Sequence, residues 1–304
     1  MQRRFPGAPL PWLDLSTGIN PVAYPLPALP ADLWSRLPTR EQHDALIAAA
    51  ASRYGVASPA AIVAAPGTQA LIQLLPRLVP RSKVAVIGPT YEEHEASWRR
   101  QGHDVSDFVP GTTADVVVVV NPDNPTGTLI KWVPTGKKLT VVDEAFIDFL
   151  PAGASFAPRL PPRTVVLRSF GKTYGLAGLR LGFAIAEPAF ANRLRHELGP
   201  WAVSGPALAI GTTALADDAW LKDAGQRLEH DGRRLDTLLT GAGFTQLGST
   251  PLFRFVRHDD APGMVRRLGC HGIHVRSFSR QPDRLRFGLP GDAASLDRLA
   301  TALA

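Results

Sequence analysis

The stretch SFGKTYGLAGLRLG, Ser169–Gly182, carries most of the information about what this chain does. Its lysine, Lys172, stands in a run of small and apolar residues, between Ser169 and Arg180. Low polarity lowers the pKa of an ammonium group, and the neutral amine can then attack an aldehyde. The serine hydroxyl and the arginine can together bind a phosphate. The stretch favours an aldehyde-binding lysine beside a phosphate site, although a glycine-rich surface turn with an exposed lysine would have the same composition.

The composition is that of an ordinary globular protein. The chain has 304 residues, 45% hydrophobic and 20% charged, enough for one large domain and a smaller one. Its single cysteine, Cys270, excludes an intrachain disulfide and suits a cytoplasmic protein. The longest plainly apolar run, Val116–Val120, is too short to span a membrane. We therefore expect a cytoplasmic location and no membrane partner.

The net charge of +6 raises the question of nucleic acid binding. The basic residues are scattered among 27 acidic ones, however, and no nucleic-acid-binding motif is present. We expect no nucleic acid partner, and a small anionic substrate would suit this charge. The histidines lack the spacing of metal ligands, so we expect them to be solvated or packed, with no bound metal.

The order of apolar runs predicts an α/β fold. Strands alternate with helices and loops over residues 61–186, which is typical of a large domain with a mostly parallel sheet. From Gly243 onward, short strands around a helix indicate a smaller C-terminal α+β domain. The predicted divisions are an N-terminal arm over residues 1–40, which completes the small domain or the active site, a large domain over 41–205 and a small domain over 206–304.

Polar residues follow the predicted strands where each strand ends. Gly67-Thr68-Gln69 forms a turn into a helix, a geometry that presents N–H groups to a phosphate. Tyr91 is placed to stack on a flat ring or to close the core, and Asn124 lies in the tight loop NPDNPTG. Asp143 ends a valine-rich strand, where a carboxylate is costly to bury without a positive partner. With Lys172 these groups match what pyridoxal 5'-phosphate requires.

The order of these motifs, followed by an arginine in LRFGL, resembles the class I/II aminotransferases, which are fold type I pyridoxal phosphate enzymes. The resemblance covers most of the chain. It implies that Lys172 is the Schiff-base lysine and that Asp143 pairs with the ring nitrogen, both being catalytic. It also implies that Asn124 donates to the phenolic oxygen and contacts the substrate, and that Tyr91 stacks on the ring. The implied phosphate site consists of Gly67, Thr68, Gln69, Ser169 and Arg180.

The same resemblance implies a substrate site. Arg286 is expected to bind the substrate α-carboxylate bidentately. The candidates for binding a substrate phosphate are the loop residues Gly18, Ile19 and Asn20, with Arg276 and Arg168 as further candidates for which a surface position is the favoured interpretation. Two departures from relatives stand out, because Phe146 and Leu37 occupy positions where many relatives carry tyrosine.

The implied reaction is decarboxylation of L-threonine O-3-phosphate to (R)-1-amino-2-propanol O-2-phosphate, a step of cobalamin biosynthesis. It is suggested by the N-terminal DLSTGINP, by DEAFIDF and by the short chain. Transamination of histidinol phosphate or another amino acid is the alternative. A non-catalytic binding or regulatory protein of the same fold is disfavoured, since every expected catalytic position is present. Such sites commonly borrow residues from a second subunit, so we expect a homodimer.

Overall fold

The computed structural model describes residues 3–109, 111, 113–133, 137–151 and 153–304. The chain forms two compact units. The large unit comprises Tyr24–Asn124 and Leu129–Ala219, and the small unit comprises Met1–Ala23, Pro125–Thr128 and Trp220–Ala304. The domain boundaries predicted from the sequence stay predictions.

Strands and helices alternate through most of the chain. The described strands are β1 Leu13–Leu15, β2 Ile62–Ala65, β3 Lys83–Val86, β4 Asp104–Asp107, β5 Val116–Val120, β6 Leu139–Asp143, β7 Thr164–Ser169, β8 Gly182–Ile185, β9 Thr245–Thr250, β10 Phe253–Arg257, β11 Ile273–Phe278 and β12 Gln281–Gly288. The described helices are α1 Asp32–Ser35, α2 Arg40–Tyr54, α3 Thr68–Leu74, α4 Glu92–Arg100, α5 Phe170–Thr173, α6 Pro188–Leu198, α7 Gly205–Ala216, α8 Asp218–Gly241, α9 Ala261–Cys270 and α10 Ala293–Leu303.

In the large unit, described strands form a seven-stranded sheet in the order β2-β8-β7-β6-β5-β3-β4. Neighbouring strands from β7 to β4 are parallel, and β8 runs antiparallel to both of its neighbours. All five valines of β5 are buried, as expected for a parallel strand covered on both faces. The predicted α/β fold with a mostly parallel sheet is confirmed.

A large hydrophobic cluster of the large unit lies on one face of this sheet. Alternate residues of the central strands, such as Val116 and Val118, pack there with Leu71 of α3 and Leu194 of α6. A strand places every second side chain on the same face, so a run of valines supplies both faces at once. This packing fixes the positions of the carboxyl ends of the strands and of the loops that follow them.

Local signals set the bounds of α2, which packs against α7 in the large unit. Thr39 and Gln42 form a reciprocal capping box at its start. Gly55 ends it in the left-handed conformation, with φ of 64°. From the sequence, an alanine-rich segment that stops at Gly55 predicts a helix over Glu41–Tyr54, and the observed helix begins one residue earlier.

The described strands of the small unit form a five-stranded sheet in the order β1-β11-β12-β10-β9. β1 pairs in parallel with β11, and the C-terminal strands pair antiparallel. Arg298 on α10 fastens the N-terminal segment, because its guanidinium donates to the carbonyl oxygens of Pro9 and Pro11 at 3.0 and 2.7 Å. No helix in the described part of the chain is long and apolar enough to cross a membrane.

Candidate active site

Lys172 lies on α5, the single turn that follows β7 in the large unit. Its side chain is half-buried, and its Nζ lies 5.0 Å from the centroid of the Phe146 ring. Gly171 permits this close fold, since a Cβ there would lie 2.7 Å from the Cα of Ala177. Phe146, at the position where the resemblance implies a tyrosine in many relatives, is buried beside the lysine.

Asp143, the last residue of β6, is buried and bonded to a histidine that the sequence did not single out. The Nε2 of His94 donates to Asp143 Oδ2 at 2.9 Å, and the backbone N–H of Ala145 donates to Oδ1 at 3.0 Å. Burial alone would raise the pKa of Asp143, but the hydrogen bond and charge of His94, with the charge of Lys172, lower it below its ordinary value. Asp143 is thus held as a buried carboxylate.

The predicted phosphate residues surround the turn between β2 and α3. Gly67 precedes the helix with φ of 83°, and a Cβ on it would lie 2.8 Å from a guanidinium nitrogen of Arg180. A Cβ on Gly182 would lie 2.6 Å from the backbone nitrogen of Thr68. The turn therefore packs against β8 and Arg180 at distances that only glycine allows. Ser169 ends β7, the strand between β8 and β6.

Gln69 and Tyr91 are bonded to each other. The Tyr91 hydroxyl donates to Gln69 Oε1, and Gln69 Nε2 donates to Glu93 Oε2, each at 3.0 Å. Arg100 also donates to Glu93, so this carboxylate is held from two sides. In this arrangement Gln69 orients the tyrosine, whereas its predicted contact with a phosphate stays a prediction.

The remaining large-unit candidate, Asn124, is half-buried in the loop after β5. Asn121 at the start of this loop is fully buried, and its side chain bonds Ala154 and Ile130. These bonds hold the start of the loop, three residues before Asn124, against its neighbours in the large unit.

Arg286 lies on β12 of the small unit, directly opposite Arg276 on β11. Burial first, and then the charge of Arg276, lower the pKa of Arg286 to about 10. Its guanidinium donates to the carbonyl oxygen of Ser16 at 2.8 Å and lies 5.1 Å from the Phe253 ring. Two guanidinium groups side by side repel each other, and an anion with two acidic groups would relieve that repulsion.

The Gly18–Asn20 loop belongs to the same small unit. Gly18 and Asn20 are buried and Ile19 is half-buried. Asn20 Oδ1 accepts a hydrogen bond from the backbone N–H of Val22 at 3.1 Å, which fixes the turn. The role of this loop in substrate binding stays a prediction.

The expectation of a surface position is wrong for Arg168. This arginine is buried in β7, donates to Asp148 and Glu144, and lies with its guanidinium carbon 4.3 Å from the Tyr54 ring centroid. A buried charge near the end of a strand is tolerated here because two carboxylates compensate for it. Arg276, by contrast, is exposed.

No three histidine, cysteine or acidic side chains of the described residues are grouped in a way that could hold a metal ion. The groups that are present fit pyridoxal 5'-phosphate instead. The large unit offers a half-buried lysine, a buried carboxylate of lowered pKa and a glycine turn under an arginine. The lysine could hold the cofactor aldehyde, the carboxylate could pair with the ring nitrogen, and the turn with its arginine could bind the phosphate.

Comparison with known proteins identifies the family. Residues 27–303 match the family Aminotransferase class I and II. The chain belongs to the class I and II aminotransferase family.

This aminotransferase-family chain is similar to two curated threonine-phosphate decarboxylases. That of Sinorhizobium sp. is 44% identical over 321 residues, covering 99% of this chain and 94% of the relative. That of Pseudomonas aeruginosa is 39% identical over 307 residues, covering 96% of this chain and 91% of the relative. A crystal structure of histidinol-phosphate aminotransferase from Sinorhizobium meliloti in complex with pyridoxal-5'-phosphate has a TM-score of 0.80 and 25% identity, covering 99% of this chain and 92% of that one.

Proposed function

We propose that this chain is a pyridoxal 5'-phosphate enzyme that decarboxylates L-threonine O-3-phosphate to (R)-1-amino-2-propanol O-2-phosphate in cobalamin biosynthesis. The observation that carries the proposal is the identity of 39% and 44%, over nearly the whole chain, to two threonine-phosphate decarboxylases. The arginine pair of the small unit supports it, because the substrate carries both a carboxylate and a phosphate.

The roles of the large-unit residues follow from their chemistry. The bound cofactor supplies an electron sink for the electron pair of the bond that breaks at the substrate Cα. Lys172 holds the cofactor aldehyde and afterwards moves a proton at Cα. Asp143 keeps a proton on the ring nitrogen, and His94 keeps Asp143 ionised. Asn124 donates to the phenolic oxygen, and Tyr91 covers the ring.

Phosphate and substrate binding are assigned to the remaining candidates. Backbone N–H groups of the Gly67-Thr68 turn, with Ser169 and Arg180, bind the cofactor phosphate. Arg286 and Arg276 bind the acidic groups of the substrate, and the Gly18–Asn20 loop starts two residues after Ser16, whose carbonyl oxygen accepts from Arg286. Orientation of the substrate by these arginines decides whether the carboxylate or the hydrogen leaves Cα.

A direct assay tests the proposal. The purified protein with its cofactor is given L-threonine O-3-phosphate without any 2-oxo acid, and CO2 and the phosphorylated amine are measured. We expect both products in equal amounts and none from Lys172→Ala. Unphosphorylated L-threonine should be used with kcat/KM lower by about 100-fold or more, because charge-assisted hydrogen bonds to the phosphate are lost.

Transamination is the second candidate, favoured by the structural similarity to histidinol-phosphate aminotransferase. Absence of CO2, together with glutamate formed from 2-oxoglutarate and histidinol phosphate, would overturn the decarboxylase assignment in favour of this one. A purified protein that binds no pyridoxal phosphate would contradict both.

We also propose a homodimer located in the cytoplasm. Support for the dimer comes from the large unit, where Trp34, Leu37 and Trp201 are exposed. Exposed apolar side chains of this size are typical of protein interfaces. The cytoplasmic location rests on the single cysteine of the sequence.

A further inference from the structure

A buried group of charged and hydroxyl side chains lies behind Lys172 in the large unit. We propose that Thr173, Asp148 and Arg168 form a positioning network that holds Lys172 in place relative to Asp143. The proposal rests on the role proposed above for Lys172 and concerns residues that do not themselves contact the cofactor.

The network begins at the residue next to the lysine. The hydroxyl of Thr173 donates to Asp148 Oδ2, and the guanidinium of Arg168 donates to Asp148 Oδ1. Thr173 and Arg168 are buried, and the side chain of Asp148 is nearly so. Bonds between ionised and polar groups are stronger and more directional when water is excluded.

The other end of the network reaches the residue that follows Asp143. Arg168 also donates to Ser155 at 3.1 Å and to Glu144 at 3.4 Å. Glu144 is fully buried and accepts from the Ser155 hydroxyl and from the backbone N–H of Phe156 at 2.5 and 2.7 Å. Asp143 and Lys172 therefore sit on segments that one chain of side-chain bonds connects.

The segment that bears Lys172 needs such a tether. Helix α5 has four residues, too few for a stable helix by themselves, and its start at Ser169 has no side-chain cap. Stacking of Phe170 on Tyr174, with ring centroids 4.3 Å apart, restrains the outer ends of the turn. The hydroxyl of Thr173 fixes the residue adjacent to the lysine, and a displacement of even 1 Å at a reacting group is costly.

A spectroscopic titration tests the network in the full-length protein with its cofactor. The group that Lys172 forms with the bound cofactor can be protonated, and its protonation changes the visible absorbance. This absorbance is followed from about pH 5 to about pH 10. In Thr173→Val, Lys172 loses part of its attraction to Asp143, so the cationic form is less stable. We expect the titration midpoint to fall by about 0.5 pH units or more.

Matched variants separate positioning from simple loss of stability. Thr173→Ser retains the hydroxyl and should restore the midpoint to within about 0.2 units. Thr164→Val is the control, because Thr164, at the start of β7, is as buried as Thr173 and its hydroxyl donates to Pro162 O at 3.3 Å. It should lower the melting temperature without moving the midpoint. If Thr173→Val does not fold, Thr173→Ala is measured in its place, because it removes the same hydroxyl.

The outcomes distinguish this inference from the assignment of Lys172. Loss of the visible band in Lys172→Ala supports the role of the lysine, and retention of the band would overturn that role instead. If Lys172→Ala does lose the band, two results would overturn the positioning network alone. These are an unchanged titration midpoint in Thr173→Val and a shift of equal size in Thr164→Val.

Discussion

At the scale of single residues, the pair of Asp143 and His94 shows how a carboxylate stays ionised inside an apolar sheet. Asp143 was predictable from the sequence, because an acid that ends a buried strand requires a partner. His94 was not predicted as that partner, although its spacing from Tyr91 in the sequence was informative. It lies three residues after Tyr91, and residues with that spacing share one face of a helix. The T-shaped contact of the two rings, with centroids 6.1 Å apart, is a consequence of that spacing.

A double-mutant cycle of His94→Phe and Asp143→Asn tests this pair. At pH 7 we expect a coupling of about 2 kcal/mol in the free energy of unfolding by urea. The folded pKa of Asp143 is lowered, so its ionised form stabilises the fold above the unfolded-state pKa, and this stabilisation is lost as the pH falls through the folded pKa. The coupling should therefore weaken towards acidic pH. A coupling below about 0.5 kcal/mol at pH 7 would show that the two side chains act independently.

At the scale of elements, most of the residues proposed for the phosphate site lie in turns next to strands. The β-branched run Val116–Val120 predicts a buried parallel strand, which is β5 as observed, and the start of α2 is predicted within one residue, because hydrophobic runs and helix stops are local signals. The sequence missed β4, whose residues are mostly exposed, and β1, which pairs with β11 far along the chain. Pairing between distant strands is not encoded in local pattern, and the contact of the Gly67 turn with Arg180 is non-local in the same way.

Gly67→Ala tests that turn. The new Cβ would meet the Arg180 guanidinium at 2.8 Å, so we expect the dissociation constant of pyridoxal phosphate to rise about tenfold, since a charged hydrogen bond is lost. Gly102→Ala is the matched control, with φ of 78° and open space around its Cβ. Both variants should lose about 1 kcal/mol of stability from the positive φ, and only Gly67→Ala should weaken cofactor binding, measured by fluorescence titration. Equal loss of affinity in both would contradict the contact.

At the scale of the whole molecule, the sequence predicted the fold class and the family but not the buried charges behind the site. The alternation of strands with helices and the order of the motifs can both be read from short segments of the sequence. The placement of Arg168 depends instead on two acids, Asp148 and Glu144, that reach it only after the sheet has formed. Arginine side chains are usually exposed, so the residue type alone predicts a surface position for Arg168, and that prediction is wrong.

The exposed aromatic residues of the large unit bear on assembly. Trp34 and Trp201 are 71% and 59% exposed, and Leu37 is 65% exposed. Leu37 adjoins Pro38, which lines a cavity of about 340 Å³ together with Trp201. Trp201 also has φ of 56°, a conformation that a bulky residue adopts only when its surroundings enforce it. A second copy of the chain that covers this surface would remove several hundred Å² of apolar area from water.

We expect the wild-type protein to sediment as a dimer and the double variant Trp34→Lys, Trp201→Lys to sediment as a monomer at micromolar concentration. Buried interface tryptophans each contribute about 2 kcal/mol or more, so each substitution should weaken dimerisation by about 30-fold. Trp132→Lys is the control, because Trp132 is 67% exposed in the large unit and does not line the cavity that Trp201 lines. It should leave the dimer intact, since it removes similar apolar area from a surface to which we assign no partner. A monomeric wild-type protein, or a double variant that stays dimeric, would show that this surface is not the interface.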